Sequence, residues 1–319
     1  MSGRILITGA TGFLGTTLRR ALHDRDVIAQ SRDPARLEAL PEPGLAWDLA
    51  EPLPDTQSLQ GVETILHCAA LSAPFGHLHD FRRANVAATA LVIALARRLG
   101  VRRLVHISSP SVLFAPCDQL DLDETTPLPA PYTSYARTKA EAEALVLAAP
   151  DLSPVILRPR GLYGAGDTAL LPRLLQAARS RPLPLFRGGH ARIDLTHVDD
   201  VATACIAALD AGPEASGQIF HISGGTSLPV TEIASRACAR VNVALRWRKM
   251  PLPPVLFAAS IAERMALLTH GREPMVTRYG LALFAYAQSL NIGKAEKILG
   301  WRPRISFDEG LDRTFKARP

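Results

Sequence analysis

Paired cysteines are missing from this chain of 319 residues. Its four cysteines, Cys68, Cys117, Cys205 and Cys238, lie far apart, and none of them belongs to a Cys-x-x-Cys motif. This spacing favours neither a zinc ribbon nor a disulfide framework. We therefore expect reduced thiols, a cytoplasmic protein and no metal site.

Long apolar segments are missing as well. The run at 5–7 near the N-terminus is too short for the core of a signal peptide. The longest apolar stretch, 255–268, is interrupted by Glu263 and Arg264 and is too short to span a bilayer. The sequence thus predicts a soluble protein without a membrane span, in which residues 255–268 form an amphipathic helix over a pocket.

No block of one charge and no internal repeat is visible. Lysines and arginines number 36 against 30 aspartates and glutamates, and the net charge of +6 comes from scattered arginines. This mild excess does not predict nucleic-acid binding. The residues are 47% hydrophobic and 21% charged, which suits one large core or two unequal cores and excludes disordered and fibrous proteins.

Short apolar runs alternate with longer helical patterns through the first half of the chain. The runs fall at 4–8, 27–30, 64–68, 103–108 and 154–157, and the helical patterns at 14–23, 34–40, 80–99 and 134–148. Continuous apolar runs indicate strands that are buried on both faces. The order predicts an α/β fold, a Rossmann-type doubly wound parallel sheet.

The pattern becomes less regular beyond Gly164. Prolines occur at 172, 182 and 184, and a proline-rich stretch follows at 251–254. We predict a smaller C-terminal lobe that binds substrate and shares segments with the first domain. The first domain comprises 1–162 with 194–223, and the lobe comprises 163–193 with 224–319.

A glycine-rich turn follows the first predicted strand. Gly9, Gly12 and Gly15 have the spacing G-x-x-G-x-x-G between that strand and a helix. Side chains here would block the tight turn and keep the backbone away from a pyrophosphate at the positive end of the helix. The motif predicts dinucleotide binding by the first domain. The expected cofactor contacts in the loop are Gly9, Thr11, Gly12, Phe13, Leu14 and Gly15.

The end of the second strand discriminates between NAD and NADP. An acidic residue there would accept from the ribose 2′-hydroxyl of NAD, but here the strand leads into Ser31 and Arg32. A cation suits the 2′-phosphate, so NADP(H) is the preferred cofactor; alternatively, Arg32 pairs with Asp33 and NAD(H) is accepted. Farther on, Asp48, which precedes Leu49, either accepts from the adenine amino group or caps a turn.

Tyr135 and Lys139 lie four residues apart in a predicted helix and project from one face. A phenol with a pKa of about 10 needs a nearby cation to act as a base at neutral pH, and an ammonium one turn away favours the phenolate. The lysine can also hold ribose hydroxyls. As an isolated pair, Tyr-x-x-x-Lys is typical of a solvated helix face.

Three serines follow the fourth apolar run: Ser108, Ser109 and Ser111. They fall at the carboxyl edge of the predicted sheet, where α/β proteins bind ligands. A hydroxyl there can donate to a substrate carbonyl as a hydride arrives. Serines at strand ends also cap backbone groups, and spacing alone leaves the choice among the three open.

Together these residues resemble the extended short-chain dehydrogenase/reductases of the NAD-dependent epimerase/dehydratase superfamily, most of all the 3β-hydroxysteroid dehydrogenase-like group. Besides the glycine loop and the Tyr-x-x-x-Lys pair, the similarity includes His-Cys-Ala-Ala at 67–70, Leu-Arg-Pro-Arg-Gly-Leu-Tyr-Gly at 157–164, 197–202 and 294–303. The resemblance implies that the first domain binds NAD(P) and that the protein is a homodimer.

The resemblance also implies roles for single residues. Tyr135 corresponds to the catalytic acid/base, Lys139 to its electrostatic and ribose partner, and Ser109 to the hydroxyl that orients the carbonyl, with Ser111 in reserve. Asn85 corresponds to a structural or proton-relay residue. The implied cofactor-lining positions are Ala69, Ala70, Pro159, Gly161 and Leu162.

Three reactions share this apparatus in the family: interconversion of a ketone and a secondary alcohol, epimerisation and dehydration. Sugar-nucleotide members bind diphosphate with an arginine directly before Asp-Phe, whereas here Arg192 stands one residue farther from Asp194. No acidic pair typical of the dehydratases follows Ser109. These departures favour the redox reaction.

The segments 252–268 and 279–287 are apolar and resemble the pocket cover of the hydroxysteroid dehydrogenase-like group, although such helices can also simply complete a core. The leading prediction is an NADP(H)-dependent oxidoreductase whose small-molecule substrate is hydrophobic: steroid-like, 3-oxoacyl-derived or terpenoid. The alternatives are a sugar-nucleotide epimerase or dehydratase, and a non-catalytic NADP-sensing interaction protein.

Overall fold

A computed structural model of the chain describes residues 3–53, 55–269 and 273–316. Its strands are β1 (Arg4–Thr8), β2 (Val27–Ser31), β3 (Gly44–Ala46), β4 (Val62–His67), β5 (Arg103–Ile107), β6 (Gln119–Leu122), β7 (Val155–Pro159), β8 (Leu162–Tyr163), β9 (Leu183–Leu185), β10 (Arg192–Asp194), β11 (Thr196–His197), β12 (Gln218–Ile222), β13 (Ser227–Pro229), β14 (Trp247–Lys249) and β15 (Gln288–Leu290). Its helices are α1 (Phe13–Ala21), α2 (Pro34–Glu38), α3 (Leu78–Phe81), α4 (Ala88–Leu99), α5 (Ser134–Leu147), α6 (Leu171–Ser180), α7 (Val198–Asp210), α8 (Val230–Arg240), α9 (Leu252–Leu268), α10 (Arg278–Ala285), α11 (Gly293–Leu299) and α12 (Phe307–Lys316).

Seven strands of the described residues form the main sheet, in the order β12-β7-β5-β4-β1-β2-β3. Every pair in it is parallel. The chain runs outward from β1 to β3 and then returns to β4 beside β1, so the strand order reverses between β1 and β4. A crevice at such a reversal is where open α/β sheets bind ligands. The prediction of a doubly wound parallel sheet is confirmed.

Both faces of the main sheet are covered by apolar packing. Neighbouring residues of β1 point to opposite sides, with Leu6 in one core cluster and Ile5 and Ile7 in the other. Helices α1 and α7 pack with Ile5 and Ile7, whereas α4 and α5 pack with Leu6. Two-sided burial explains why these strands are continuous apolar runs in the sequence.

The remaining described strands form three smaller sheets: one of four strands and the two-stranded pairs β8–β11 and β9–β14. Four of the described strands pair in the order β13-β10-β15-β6. Strand β6 comes from the range predicted for the first domain, yet Gln119 pairs with Gln288 of β15. Conversely, Trp301 near the C-terminus donates its indole N–H to the Asp200 carbonyl of α7 at 3.2 Å. The two parts of the chain therefore exchange segments, and the predicted domain boundaries stay a prediction.

The predicted helix 80–99 has an interruption that the periodicity does not reveal. The helix begins at α3 and continues through a π-helical turn, Arg82–Ala87, into α4. Asn85 lies in this turn and is buried. The widened turn adds a residue without ending the helix, so the apolar pattern on either side still looks helical.

Helix α9 covers the predicted pocket but is not amphipathic, which corrects the expectation for 255–268. One side, with Val255 and Ala259, lines the main cleft. The other side is also apolar, and Phe257, Ile261 and Met265 are exposed. In the part of the chain that the structure describes, we find no helix whose length and apolar character suffice to cross a membrane.

Candidate active site

A cleft of about 2110 Å³ follows the carboxyl ends of the main-sheet strands and continues under α9 and α10. Pockets for one small ligand typically measure about 300–1,000 Å³, so this cleft has room for a dinucleotide and a second molecule. Among the described residues, all of the predicted cofactor and catalytic positions line it except Lys139.

The glycine loop has the geometry of a phosphate cradle. Gly9 has a φ of +66°, and a Cβ there would lie 2.9 Å from the Cα of Ala69. A Cβ on Gly15 would overlap the Gly9 carbonyl oxygen. No side chain of the described residues caps the start of α1 at Gly12, which leaves the first N–H groups of the helix available to an anion. This arrangement fits the pyrophosphate of a dinucleotide cofactor.

Gln30 holds this loop in place and was not found by the sequence analysis. Its side-chain Oε1 accepts from the Gly9 N–H at 2.9 Å, and its carbonyl oxygen accepts from the Ala10 N–H at 2.9 Å. The side chain is buried and also donates to the Trp47 carbonyl oxygen. The available signal was a polar residue at the end of the second apolar run.

Two arginines stand at the far end of the cleft from α9, beside the glycine loop. Arg32 is exposed, lines the cleft and has no ion pair within the described residues. The predicted alternative pairing with Asp33 is absent there, because that carboxylate caps α2 by accepting from the Ala35 N–H at 3.1 Å. Arg36, which the sequence analysis missed, also lines the cleft and donates to the Thr11 carbonyl oxygen at 2.9 Å.

Asp48 takes the turn-capping position that the sequence analysis gave as one alternative. Its Oδ1 accepts from the Ala50 N–H at 3.1 Å, and its Oδ2 lies 3.3 Å from a guanidinium nitrogen of Arg83. Leu49 is buried beside it, and both residues line the cleft. The carboxylate is thus fixed in position at the cleft wall.

Tyr135 lies at the start of α5, half-buried against the cleft. Burial raises the pKa of this phenol, and hydrogen bonding with Ser72 and Ser109 only partly opposes that effect. The expectation that a cation makes the phenolate the favoured form is therefore wrong for this structure. Tyr135 is a neutral phenol at neutral pH and can donate a proton.

Ser109 is the serine that the structure places with Tyr135. Its Oγ accepts from the Ser111 N–H at 3.2 Å and so begins a short helical turn, Pro110–Leu113. The other two candidates, Ser108 and Ser111, are buried, and their hydroxyls have no hydrogen-bond partner in the described residues. Ser72, which also lines the cleft, was missed because its position in the sequence, five residues after β4, does not indicate its contact with Tyr135.

Lys139 is directed away from the cleft. Its Nζ donates to the Ile107 carbonyl oxygen at 2.6 Å and lies 3.2 Å from His106 Nε2. Burial lowers the pKa of Lys139 to about 8. The ammonium is therefore charged at neutral pH but sits behind the wall formed by the end of β5, one helical turn from Tyr135.

Two neutral histidines lie next to that lysine. Burial lowers the pKa of His67 to about 3 and that of His106 well below its usual value, and the Lys139 charge acts in the same direction. His67 Nδ1 lies 2.8 Å from Thr8 Oγ1, and its Nε2 lies 3.0 Å from Thr89 Oγ1. The first of these hydrogen bonds joins the end of β1 to the end of β4, and the second joins the end of β4 to α4.

Asn85 has a structural role in this arrangement. Its Oδ1 accepts from the Leu71 N–H at 2.7 Å, and its Nδ2 donates to the Leu71 carbonyl oxygen at 3.2 Å. The same nitrogen lies 3.1 Å from Thr138 Oγ1. The side chain is fully occupied in joining the π-helical turn to the segment after β4.

The part of the cleft beyond Tyr135 has mostly apolar walls. They include Leu170, Leu174, Ile193, Val255, Ala259, Val276, Leu281 and Phe284. Arg192 does not line the cleft; it donates to the Ser227 hydroxyl at 2.8 Å and to the Ser227 carbonyl oxygen at 2.7 Å. The arginine that could have held a diphosphate is thus bound to β13.

Comparison with known proteins agrees with this geometry. Residues 5–223 match the model of the NAD dependent epimerase/dehydratase family. A 2-alkyl-3-oxoalkanoate reductase of Stenotrophomonas maltophilia is 34% identical over 97% of this chain and 98% of its own length. A 4-hydroxy-2-methyl-3-oxo-4-farnesyl-3,4-dihydroquinoline-1-oxide ketoreductase of Stigmatella aurantiaca is 31% identical over 99% of this chain and 97% of its own.

A similar solved structure is that of UDP-glucuronic acid 4-epimerase from Bacillus cereus in complex with NAD. It aligns with a TM-score of 0.77, at 21% identity, over 98% of this chain and 97% of that chain. At this identity the likeness shows the shared fold.

Proposed function

Because this chain belongs to the NAD dependent epimerase/dehydratase family, we propose that it is an NAD(P)(H)-dependent oxidoreductase that interconverts a ketone and a secondary alcohol. Its substrate is a hydrophobic small molecule, in keeping with the apolar walls of the cleft. Two relatives of similar length are named as reductases of keto compounds, which supports this assignment. The engagement of Arg192 by Ser227 disfavours a sugar-nucleotide epimerase.

The observation that carries the proposal is the neutral Tyr135 phenol beside Ser109, between the glycine loop and the apolar walls. Bound at the glycine loop, the nicotinamide cofactor supplies or accepts a hydride. Ser109 holds the carbonyl oxygen by donating its hydroxyl proton in a hydrogen bond. Tyr135 transfers its phenolic proton to that oxygen as negative charge develops on it.

Lys139 acts in this proposal from behind the wall of the cleft. Its ammonium is charged below a pKa of about 8 and lies one helical turn from Tyr135. A positive charge at this position stabilises the phenolate that remains after proton transfer. A protein that only sensed the cofactor would need the glycine loop but not this set of groups, which disfavours the non-catalytic alternative.

NADP(H) is the cofactor that the loop after β2 favours. Ser31 ends β2 directly before this loop, and its Oγ lies 2.9 Å from Thr11 Oγ1 of the glycine loop. Arg32, which has no ion pair within the described residues, and Arg36 line the same end of the cleft. Two cations and a hydroxyl suit a 2′-phosphate group.

The domain division also enters the proposal. Residues 1–162 with 194–223 bind the cofactor, and 163–193 with 224–319 bind the substrate, which is supported by their shares of the cleft wall. The resemblance to the extended short-chain dehydrogenase/reductases supports a homodimer in the cytoplasm. Sedimentation velocity at micromolar concentration tests the dimer, and a single monomeric species would contradict it.

Turnover of a panel of apolar ketones with NADPH tests the proposed reaction. In Tyr135→Phe, we expect turnover to fall by about 100-fold or more, because the proton donor is lost. NADPH binding measured by calorimetry should persist. Tyr286, which packs against Arg187 outside the cleft lining, provides the matched control Tyr286→Phe, with activity close to that of the wild type. Undiminished turnover in Tyr135→Phe would contradict the mechanism.

A further inference from the structure

The outer side of α9 is an apolar surface that no other part of the described chain covers. Of the nine large apolar side chains that are exposed in the described residues, five lie between 257 and 275. Phe257 is 69% exposed, and Leu268 is 76% exposed. Single exposed apolar side chains are ordinary on a protein surface, but a cluster on one element indicates a binding surface.

Four of these side chains, here named the α9 stripe, are Phe257, Ile261, Met265 and Leu268. They are spaced by four, four and three residues, which brings them to the same side of an α-helix. The opposite side, with Val255 and Ala259, lines the cleft. A helix with its side chains is about 10–12 Å thick, so only this thickness separates the α9 stripe from the cleft.

The chain around α9 is also rich in cations. Residues 246–278 contain six lysines and arginines against two glutamates, a local net charge of +4 in a chain whose total is +6. Four of these cations are exposed and form no ion pair within the described residues: Arg246, Arg248, Lys249 and Arg264. Arg264 lies on α9 itself, one residue before Met265 of the α9 stripe, and Lys249 precedes the helix by three residues.

The two glutamates of this segment do not balance these cations. Glu263 accepts from the Arg278 N–H of α10 at 2.7 Å, and it follows Phe257 by six residues, which turns it away from the α9 stripe. Glu273 is paired with Arg173 at 2.7 Å. The free charges that this segment presents to solvent are therefore positive.

The charge discriminates between the possible occupants of this surface. A second copy of the chain, packed stripe against stripe about a two-fold axis, would bring the same cations face to face, and like charges repel each other. A bilayer that contains anionic lipids offers acyl chains beneath a layer of negative charge. Apolar side chains and nearby lysines or arginines both strengthen binding to such a bilayer.

We propose that α9 docks the protein on an anionic lipid surface, with the α9 stripe among the acyl chains and Lys249 and Arg264 at the lipid phosphates. The helix lies in the plane of the interface, because its other side remains the wall of the cleft. Docking requires no turnover, so it is tested separately from the proposed reaction.

Flotation of the full chain with lipid vesicles tests this proposal. We expect binding to vesicles of equal parts phosphatidylglycerol and phosphatidylcholine, and binding at least about 10-fold weaker to phosphatidylcholine alone. In the double variant Phe257→Gln/Ile261→Gln, binding should fall by about 100-fold, because two apolar side chains are lost from the acyl layer. Leu120 and Leu128 are exposed outside α9 and provide the control Leu120→Gln/Leu128→Gln, with unchanged binding.

The cations are tested by Lys249→Gln/Arg264→Gln. Each cation near an anionic surface contributes about fivefold to binding, so this variant should bind the anionic vesicles about 25-fold more weakly. Its binding to phosphatidylcholine should not change. An equal loss on both kinds of vesicle would overturn the role of charge in the proposal.

A tryptophan reporter shows where the protein touches the vesicle. In Phe257→Trp the indole emission should shift to shorter wavelength on anionic vesicles and be quenched by brominated lipid, whereas Leu120→Trp should show neither change. No shift in Phe257→Trp, or undiminished flotation of Phe257→Gln/Ile261→Gln, would overturn the proposal. So would a double variant that sediments without lipid as a smaller species than the wild type, because a second copy would then cover the α9 stripe. An unchanged Tm shows that the variants are folded.

Discussion

At the scale of single residues, the functional groups stand where apolar runs end. Ser31 is the last residue of β2, and Ala69 and Ser109 lie two residues beyond the ends of β4 and β5; each of the three lines the cleft. A strand is buried along its length, so the first residues beyond its carboxyl end are the first that can face a ligand. A single substitution at one of these positions is therefore expected to change the affinity for cofactor or substrate directly.

Arg32 provides the residue-scale prediction for the cofactor. In Arg32→Ala, we expect the Kd of NADPH to rise by about 10–100-fold and the Kd of NADH to change little, because only NADPH carries the 2′-phosphate. Calorimetric titration of both cofactors measures this. Arg25, paired with Asp210 at 2.6 Å and outside the cleft lining, provides the control Arg25→Ala. Equal affinities for NADPH and NADH in the wild type would contradict the prediction.

Much of the site was predictable at this scale because it lies in local motifs. The glycine loop, Ser109 and Tyr135 were identified and line one cleft. Gln30 and Ser72 were missed as site residues, since their importance comes from contacts with residues distant in sequence. The direction of the Tyr135 pKa was also wrong, because spacing shows a neighbouring cation but not the burial of the phenol.

At the scale of elements, the Arg158–Glu143 pair joins α5 to β7 inside the protein. Both side chains are less than 5% exposed, and Arg158 also lies 3.4 Å from His221 of β12. In Arg158→Ala, we expect the free energy of unfolding to fall by about 3–5 kcal/mol, because Glu143 is left as an unpaired buried charge. Chemical denaturation measures the change.

The matched control for that pair is on the surface. Arg97 makes a bidentate ion pair with Asp151 at 2.8 and 2.9 Å, but both side chains are about half exposed. Arg97→Ala should cost about 0–1 kcal/mol, because water already solvates both charges. Similar losses for Arg158→Ala and Arg97→Ala would show that burial of the inner pair has no special effect.

Most strands of the main sheet were predictable, whereas its edge strand β12 and the strands of the smaller sheets were not. Strands β1, β2, β4, β5 and β7 are continuous apolar runs, so composition identifies them. By contrast, β6 is mostly polar and gains its partner, β15, only from the far end of the chain. A local sequence pattern cannot indicate a pairing between strands that lie so far apart in the chain.

At the scale of the whole molecule, three of the four buried histidines in the described residues predict loss of stability in acid. Burial lowers the pKa of His67 to about 3 and of His221 to about 4, and it lowers that of His106 strongly. An unfolded histidine titrates near about 6.5, so below that pH the unfolded state binds protons that the folded state does not. The contribution of these neutral histidines to the free energy of unfolding is therefore fully present above about pH 6.5 and is lost as the pH falls below it.

At pH 5, His67 and His221 should each lower the free energy of unfolding by about 2 kcal/mol, because pH 5 lies about 1.5 units below the pKa of an unfolded histidine and each unit corresponds to about 1.36 kcal/mol. We expect Tm to be lower at pH 5 than at pH 7 by on the order of 10 °C. Differential scanning calorimetry measures it. His221→Asn should reduce the pH dependence, whereas His79→Gln, at an exposed histidine, should not. A constant Tm between pH 7 and pH 5 would refute the argument.

The pairing of β6 with β15 can form only late in the synthesis of the chain. Gln119 and Gln288 are 169 residues apart. At about 5–20 residues per second, a ribosome needs about 10–30 s to travel from one to the other. For most of that interval the glycine loop, Ser109 and Tyr135 have already been synthesised, but β6 still lacks its neighbour. The cofactor half of the cleft is thus synthesised well before the strand that completes the four-stranded sheet.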